Sequence, residues 1–196
     1  MKIFLIIFVL VFTVNSIATD PPASRAQGVF LAFGVGPRLP LGDFSNSTDI
    51  GYGFNIELSY TDNEFLPVFL FVNIGFEQYP GAQSFYQETD YSNFSTNAIP
   101  INVGARYYFS PLVEQVVLLI PIIELSASYT YTQELNEFKF DSGRNKFKEQ
   151  FSKFGVAGGV GLSMFLMEII AAYHYFESNQ YVSFDLRIRI PLFINY

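Results

Sequence analysis

The chain has 196 residues, half of them hydrophobic and 18% aromatic, with 23 Phe, 13 Tyr, no Trp, no Cys and only 15% charged residues. That is one domain with enough apolar surface for either a soluble core or a membrane-facing band, and it excludes a disordered chain. A net charge of −7 and no clustered positive charge exclude a nucleic-acid partner, while the lack of cysteine excludes disulfides, a cysteine-linked lipid anchor and thiolate metal or iron–sulfur sites.

The first 18 residues read as an export signal. Lys2 is the basic start, Ile3 to Val14 an apolar run, and Asn15-Ser16-Ile17-Ala18 a small-residue stretch suited to cleavage after Ala18. An apolar run of about 12 residues is too short for a spanning helix, which needs roughly 20. Loss of the leader takes the net charge from −7 to −8, because Lys2 goes with it. A short segment, 19–27, follows, and the expected domain covers 28–196.

From there the chain alternates in polarity, the signal of strands with two unlike faces. The weak first strand is Val29 to Val35. Gly51 to Tyr60 is clear: Tyr52, Phe54, Ile56, Leu58 and Tyr60 oppose Gly53, Asn55, Glu57 and Ser59. Val68 to Phe76 is weaker, and Ala98 to Phe109 is again clear, with Ile99, Ile101, Val103, Ala105 and Tyr107 against Pro100, Asn102, Gly104, Arg106 and Tyr108. Weaker strands at Val117 to Tyr131, Phe154 to Met164 and Ile169 to Tyr175 lead to the last, where Val182, Phe184, Leu186, Ile188, Ile190 and Leu192 alternate with Ser183, Asp185, Arg187, Arg189 and Pro191. About eight strands result, and no sustained helical period interrupts them. Connections alternate too. Short turns fall at Thr61 to Leu66, Ser110 to Glu114 and around Leu166-Met167; longer polar stretches fall at Leu41 to Ile50, Pro80 to Asn97 and Thr132 to Ser152, with a brief fourth at Glu177 to Gln180.

The predicted fold is therefore all-β: a closed antiparallel up-and-down transmembrane barrel, apolar outside and polar inside, with short turns at one end and long loops at the other. The rival is a secreted lipocalin-like ligand binder of opposite polarity. Two features favour the membrane form. Gly34, Gly36, Gly53, Gly75, Gly104, Gly155, Gly159 and Gly161 share the polar face, where a narrow interior needs room for long charged neighbours. Aromatic residues gather at strand ends on the apolar face, with Tyr52, Phe76, Tyr129, Tyr131, Tyr173 and Tyr175 towards the loops and Tyr60, Tyr107 and Phe109 towards the turns, as two interfacial girdles do.

The stretches Gly34-Val35-Gly36, Pro40-Leu41-Gly42-Asp43-Phe44, Gly51-Tyr52-Gly53, Ile99 to Phe109 and the aromatic C-terminal strand resemble the OmpA-like outer-membrane β-barrel family, in its branch of small porin-like proteins from Bacteroidota. That resemblance, over about 28–196, implies an integral outer-membrane location, lipid and lipopolysaccharide as surroundings, and a C-terminal strand read by the barrel-assembly machinery. It implies structural, adhesive or narrow-channel roles, with the surface partner left open.

On the polar face lie Glu57, Glu77, Arg106, Glu124, Asp185, Arg187 and Arg189. Acids and bases enclosed together are expected to pair, because an unpaired buried charge costs several kcal/mol. Phe30, Phe69 and Phe71 take the same inward parity and favour a filled interior over a narrow channel for ions or small solutes. The single histidine, His174, excludes a His-rich metal site, and no cofactor is implied. His174 stands near Glu177, Ser178 and Asn179, a spacing that departs by two residues from the His-x-Ser-Asn of barrel enzymes that deacylate lipid A, so no catalytic residue is assigned. The third loop, with Lys139, Arg144, Lys146 and Lys148 among Glu134, Glu137, Asp141 and Glu149, reads as a solvated surface of mixed sign.

Overall fold

The computed structural model describes residues 27–62, 66–112, 119–140, 143 and 145–195. The predicted leader 1–18 and segment 19–26 lie outside the described residues. Eight strands pair in sequence order and close on themselves: β1 (Gln27–Leu41), β2 (Gly51–Asp62), β3 (Leu66–Pro80), β4 (Tyr91–Tyr108), β5 (Leu119–Phe138), β6 (Phe147–Met164), β7 (Met167–Phe176) and β8 (Gln180–Asn195). Every neighbouring pair is antiparallel, and β1 meets β8 to complete the ring. Two short helices lie in the connections at one end, α1 (Phe44–Ser47) and α2 (Gln83–Glu88).

The alternation explains the ring. Along β2, residues from Gly51 to Thr61 are buried at every odd number and exposed at every even one. The exposed set is apolar and the buried set polar, the reverse of a water-soluble barrel. The same inversion runs round the ring, with Phe33, Val35, Ile74, Val103, Leu125, Val160, Ile169 and Ile188 among the exposed residues and Asn73, Arg106, Glu124, Glu168 and Arg187 among the buried ones. Tyr52, Tyr131, Tyr173 and Tyr175 face outward near the loop end and Tyr60 and Tyr107 near the turn end. Among the described residues no helix is long and apolar enough to cross a membrane.

Crossing a bilayer takes a tilted strand of about 9–11 residues. β7 has 10, but β4, β5 and β6 have 18, 20 and 18, so they rise past the loop-end girdle as a three-stranded ribbon. The sequence reading needs correction here. Part of each loop it assigned is strand: Tyr91 to Asn97 of the stretch Pro80 to Asn97 belongs to β4, and Thr132 to Phe138 and Phe147 to Ser152 of the stretch Thr132 to Ser152 belong to β5 and β6. Above the girdle both faces of a strand meet polar surroundings, so polarity stops alternating while the ladder of hydrogen bonds continues. β1 likewise extends beyond the predicted Val35, through Pro37 and Pro40 to Leu41.

Two glycines mark forced close approaches. A Cβ on Gly36 would collide with the Phe184 carbonyl oxygen, and one on Gly53 would sit 2.9 Å from the Arg38 guanidinium.

Candidate functional site

The strand parity that turns apolar groups outward delivers a second set of side chains into the lumen. Five carboxylates, from Glu57, Glu77, Glu124, Glu168 and Asp185, and four guanidiniums, from Arg38, Arg106, Arg187 and Arg189, are buried there. They form two clusters joined by Asp185.

The cluster nearer the short turns centres on Arg106, whose side chain has no exposed surface. Its Nη1 and Nη2 donate to the two Glu57 carboxylate oxygens at 2.8 and 2.7 Å, a bidentate pair across the barrel. Its Nε and Nη2 donate to Glu124 Oε2 at 2.9 and 2.7 Å. Arg187 Nη1 reaches the same two carboxylates, at 3.2 Å each. Arg189 donates to Glu57 at 2.9 Å, to Ser59 Oγ at 2.9 Å and to Glu168 at 3.1 Å. Tyr108 donates its hydroxyl to Glu168 at 2.6 Å. Below the charges an aromatic floor closes the turn end: Phe69 packs 5.6 Å from Phe30 and 4.7 Å from Tyr108, ring centre to ring centre, and the Arg189 guanidinium lies within 6.0 Å of all three rings.

The cluster nearer the loops centres on Arg38. Its Nε donates to Glu77 at 2.7 Å and its Nη2 lies 2.9 Å from Asp185. Glu77 also accepts the hydroxyls of Tyr79 at 2.8 Å and Tyr181 at 3.2 Å. Asp185 ends a relay that runs through β5, β4, β3 and β2 and then passes over β1 to β8: Ser128 donates to Asn102 (2.6 Å), Asn102 to Asn73 (3.4 Å), Asn73 to Asn55 (3.0 Å) and Asn55 to Asp185 (3.2 Å). Every donor in that chain points towards the carboxylate, so each bond polarises the next in the sense that stabilises its charge. Above it, Phe44 of α1 packs edge-on against Tyr79 at 4.9 Å and roofs the loop end.

Voids between these side chains are small. One beside Arg38, Asn73 and Arg187 holds about 20 Å³ and another beneath Phe44 and Phe176 about 10 Å³, room for a water or two and no more.

Of the residues predicted from sequence, Glu57, Arg106, Glu124, Arg187 and Arg189 meet in the turn-end cluster; Glu77 sits apart, with Arg38, and Asp185 lies between the two groups. Sequence reasoning missed Arg38, Glu168, Tyr79 and Tyr181, and placed Tyr108 on the polar face without assigning it to the network. His174 lies two residues before the end of β7. It is buried, stacks on Tyr181 with ring centres 4.3 Å apart, and its Nε2 lies 3.0 Å from Ser183 Oγ. Ser178, by contrast, is an exposed turn residue with φ 67°, so the deacylase-like grouping of His174 with Ser178 is not assembled. Among the described residues no group of three His, Cys, Asp or Glu is arranged to hold a metal ion.

No protein-family model matches the chain, and no curated protein matches it in sequence. Among solved structures it is similar to Neisserial surface protein A, with 14% identity over 84% of this chain and 97% of that one and a TM-score of 0.48. It is similar also to Ail, the attachment invasion locus protein of Yersinia pestis (14% identity, 86% and 100% covered, TM-score 0.44), and to the N-terminal β-barrel domain of Pseudomonas aeruginosa OprF (10%, 85% and 100%, 0.43).

The arrangement does one thing chemically: it satisfies charge against charge inside a closed wall. Each carboxylate accepts from at least one guanidinium or hydroxyl, and the multidentate donors cross-link strands that are not neighbours in the ring, as Arg106 of β4 does with Glu57 of β2. The lumen is a brace.

Proposed function

We propose that this chain is an integral outer-membrane barrel, exported by the leader 1–18, whose interior is a fixed ion-paired plug and whose loop end, together with the projecting β4–β5–β6 ribbon, is a contact surface held on a rigid scaffold. The observation that carries this reading is the polarity inversion: an uninterrupted apolar exterior around a charged, satisfied interior suits a wall surrounded by hydrocarbon and is ruinous for one surrounded by water. The same inversion counts against the lipocalin-like alternative. The void sizes count against a channel, because a hydrated ion needs a continuous path and the lumen offers separate spaces the size of single waters. On this reading the domain 28–196 makes the barrel, lipid and lipopolysaccharide form its surroundings, and the C-terminal strand β8 presents the assembly signal to the barrel-assembly machinery. No enzymatic role is proposed.

Gel mobility with and without boiling tests the architecture. The mature chain refolded in detergent is expected to migrate as a compact species unboiled and to shift on heating; a detergent-independent soluble protein with no heat shift would overturn the membrane reading. Planar-bilayer recordings test the plug. No unitary current steps are expected, and reproducible steps from wild-type protein would replace the plug with a pore.

A further inference from the structure

The ribbon that rises above the barrel has two long edges, treated differently. On the β4 side, pairing with β3 ends at Ser95, but the chain covers the exposed edge: Gly81 N and Tyr86 Oη both donate to the Phe94 carbonyl at 2.8 Å, and Phe94 N donates back to Tyr86 Oη at 3.0 Å. Helix α2, which carries Tyr86, is in effect a cover for that edge. On the β6 side pairing with β7 begins only at Gly155, whereas pairing with β5 runs from Phe147 onward. Residues 147–154 of β6 therefore pair along one side only among the described residues, and every second residue there turns its N–H and C=O away from β5. Lys153 closes the bottom of the open stretch, its Nζ donating to Glu177 O and Asn179 Oδ1 at 2.7 Å each.

We propose that this open edge of β6 is a self-association surface, where a second copy of the chain adds its own β6 edge antiparallel with Gln150 on the two-fold axis. This inference rests on the outer-membrane reading above. The occupant follows from charge and register. In an antiparallel pair of identical strands the two-fold axis passes through one residue, which faces itself. Centring on Lys148 or Glu149 sets like charges directly opposite, which is destabilising. Centring on Phe151 stays within the free stretch but sets Lys153 against Glu149, which would draw its ammonium from the Glu177 and Asn179 oxygens that hold it. Centring on Gln150 uses the free stretch alone. It sets Gln150 against itself, amide to amide; Glu149 against Phe151; Lys148 against Ser152; and Phe147 against Lys153, an ammonium that already lies 4.9 Å over the Phe151 ring. A parallel pairing of copies in one membrane fails for a different reason: using the same edge twice turns equivalent residues to opposite faces and aims their N–H and C=O groups at each other in register, and no parallel ladder forms that way.

An axis perpendicular to the ribbon reverses the barrel, so the two copies point in opposite directions and sit in two facing membranes. The contact joins membranes.

The chain has no native cysteine, so single-cysteine variants of the full mature protein report pairing without background. In detergent under mild oxidation Gln150→Cys is expected to give a disulfide-linked dimer. Lys148→Cys and Ser152→Cys are each expected to stay monomeric alone and to link to one another when mixed. Charge supplies a second measurement on vesicles of phosphatidylcholine carrying the protein: Phe151→Lys, which faces Glu149, should increase vesicle clustering, and Phe151→Glu should disperse it. Equal linking of all three cysteine variants, or vesicles that do not cluster and ignore the sign of residue 151, overturns the proposal; linking to an added extended peptide but not to a second copy overturns it too. Retention of the heat shift in the same samples assigns that failure to self-association alone, whereas loss of the shift in wild type would strike at the membrane reading.

Discussion

The two halves of the lumen solve one problem, burying carboxylates inside a narrow ring, in different ways. Near the short turns three carboxylates, Glu57, Glu124 and Glu168, meet three guanidiniums, Arg106, Arg187 and Arg189, and almost every contact is ionic. Near the loops Arg38 is the shared cation of two carboxylates, Glu77 and Asp185, with Arg187 reaching Asp185 only at 3.5 Å, and neutral donors from Tyr79, Tyr181 and Asn55 supply the rest. The first half gains strength from multidentate charge, and because each guanidinium serves several acids the loss of one disturbs two or three buried carboxylates at once. The second gains redundancy, because a carboxylate that loses its cation keeps hydroxyl and amide donors. Deleting a cation should therefore hurt the turn-end half more.

Arg106→Met is the severest test. It strips Glu57 of its bidentate partner and Glu124 of its two shortest donors while leaving both acids buried. Breaking one side of a buried ion pair costs about 3–5 kcal/mol, since the remaining charge has no solvent to recover. The chain has no tryptophan, so urea unfolding is best followed by the fraction of heat-shiftable band; a large fall in the midpoint is expected. A midpoint equal to that of the corresponding loop-end variant would erase the distinction between the halves.

How much of this was legible in the sequence depends on where alternation survives. Glu57, Arg106, Glu124, Asp185, Arg187 and Arg189 lie in the central stretches of strands whose outward neighbours are apolar, so two-residue periodicity alone placed them on one face. Glu168 obeys the same parity, two residues before Ile170, but it falls between the short turn around Leu166-Met167 and the strand whose alternation begins at Ile169. Arg38 is hidden between Pro37 and Pro40, which lack a ladder N–H and read as a break; the ring tolerates Pro37 because pairing of β1 with β8 skips Gly36 and Pro37 and resumes at Arg38. The grouping of charges into two clusters was not legible, because it depends on how the strands stagger around the ring, and polarity periodicity carries no information on stagger.

Arg38→Met probes the redundant half. Glu77 keeps the Tyr79 and Tyr181 hydroxyls, and Asp185 keeps Asn55 at 3.2 Å and Arg187 at 3.5 Å. The expected loss is about 1–3 kcal/mol, the range for a buried group left partly satisfied. A second readout sharpens the comparison: Gly53, which packs against the Arg38 guanidinium, can accept a side chain once that group is gone. Gly53→Ala is thus expected to destabilise the wild-type barrel and to be nearly silent in the Arg38→Met background, by the same unfolding assay. Equal effects in both backgrounds would mean that the glycine answers to the backbone and not to the arginine.

The finest test lies between the two tyrosines on Glu77. Tyr181→Phe removes one neutral donor at 3.2 Å and keeps the ring that stacks on His174; Tyr79→Phe removes one at 2.8 Å and keeps the ring under Phe44. Each single change leaves the carboxylate with a guanidinium and one hydroxyl, so each is expected to cost only about 1 kcal/mol. The double change leaves Arg38 as the one remaining donor to a buried carboxylate among the contacts described here, and the loss should exceed the sum of the singles, because donors that share an acceptor are coupled. Strict additivity in that cycle would mean that the hydroxyls act independently, and the loop-end half would then owe its tolerance to Arg38 alone, with no redundancy to set against the turn-end network.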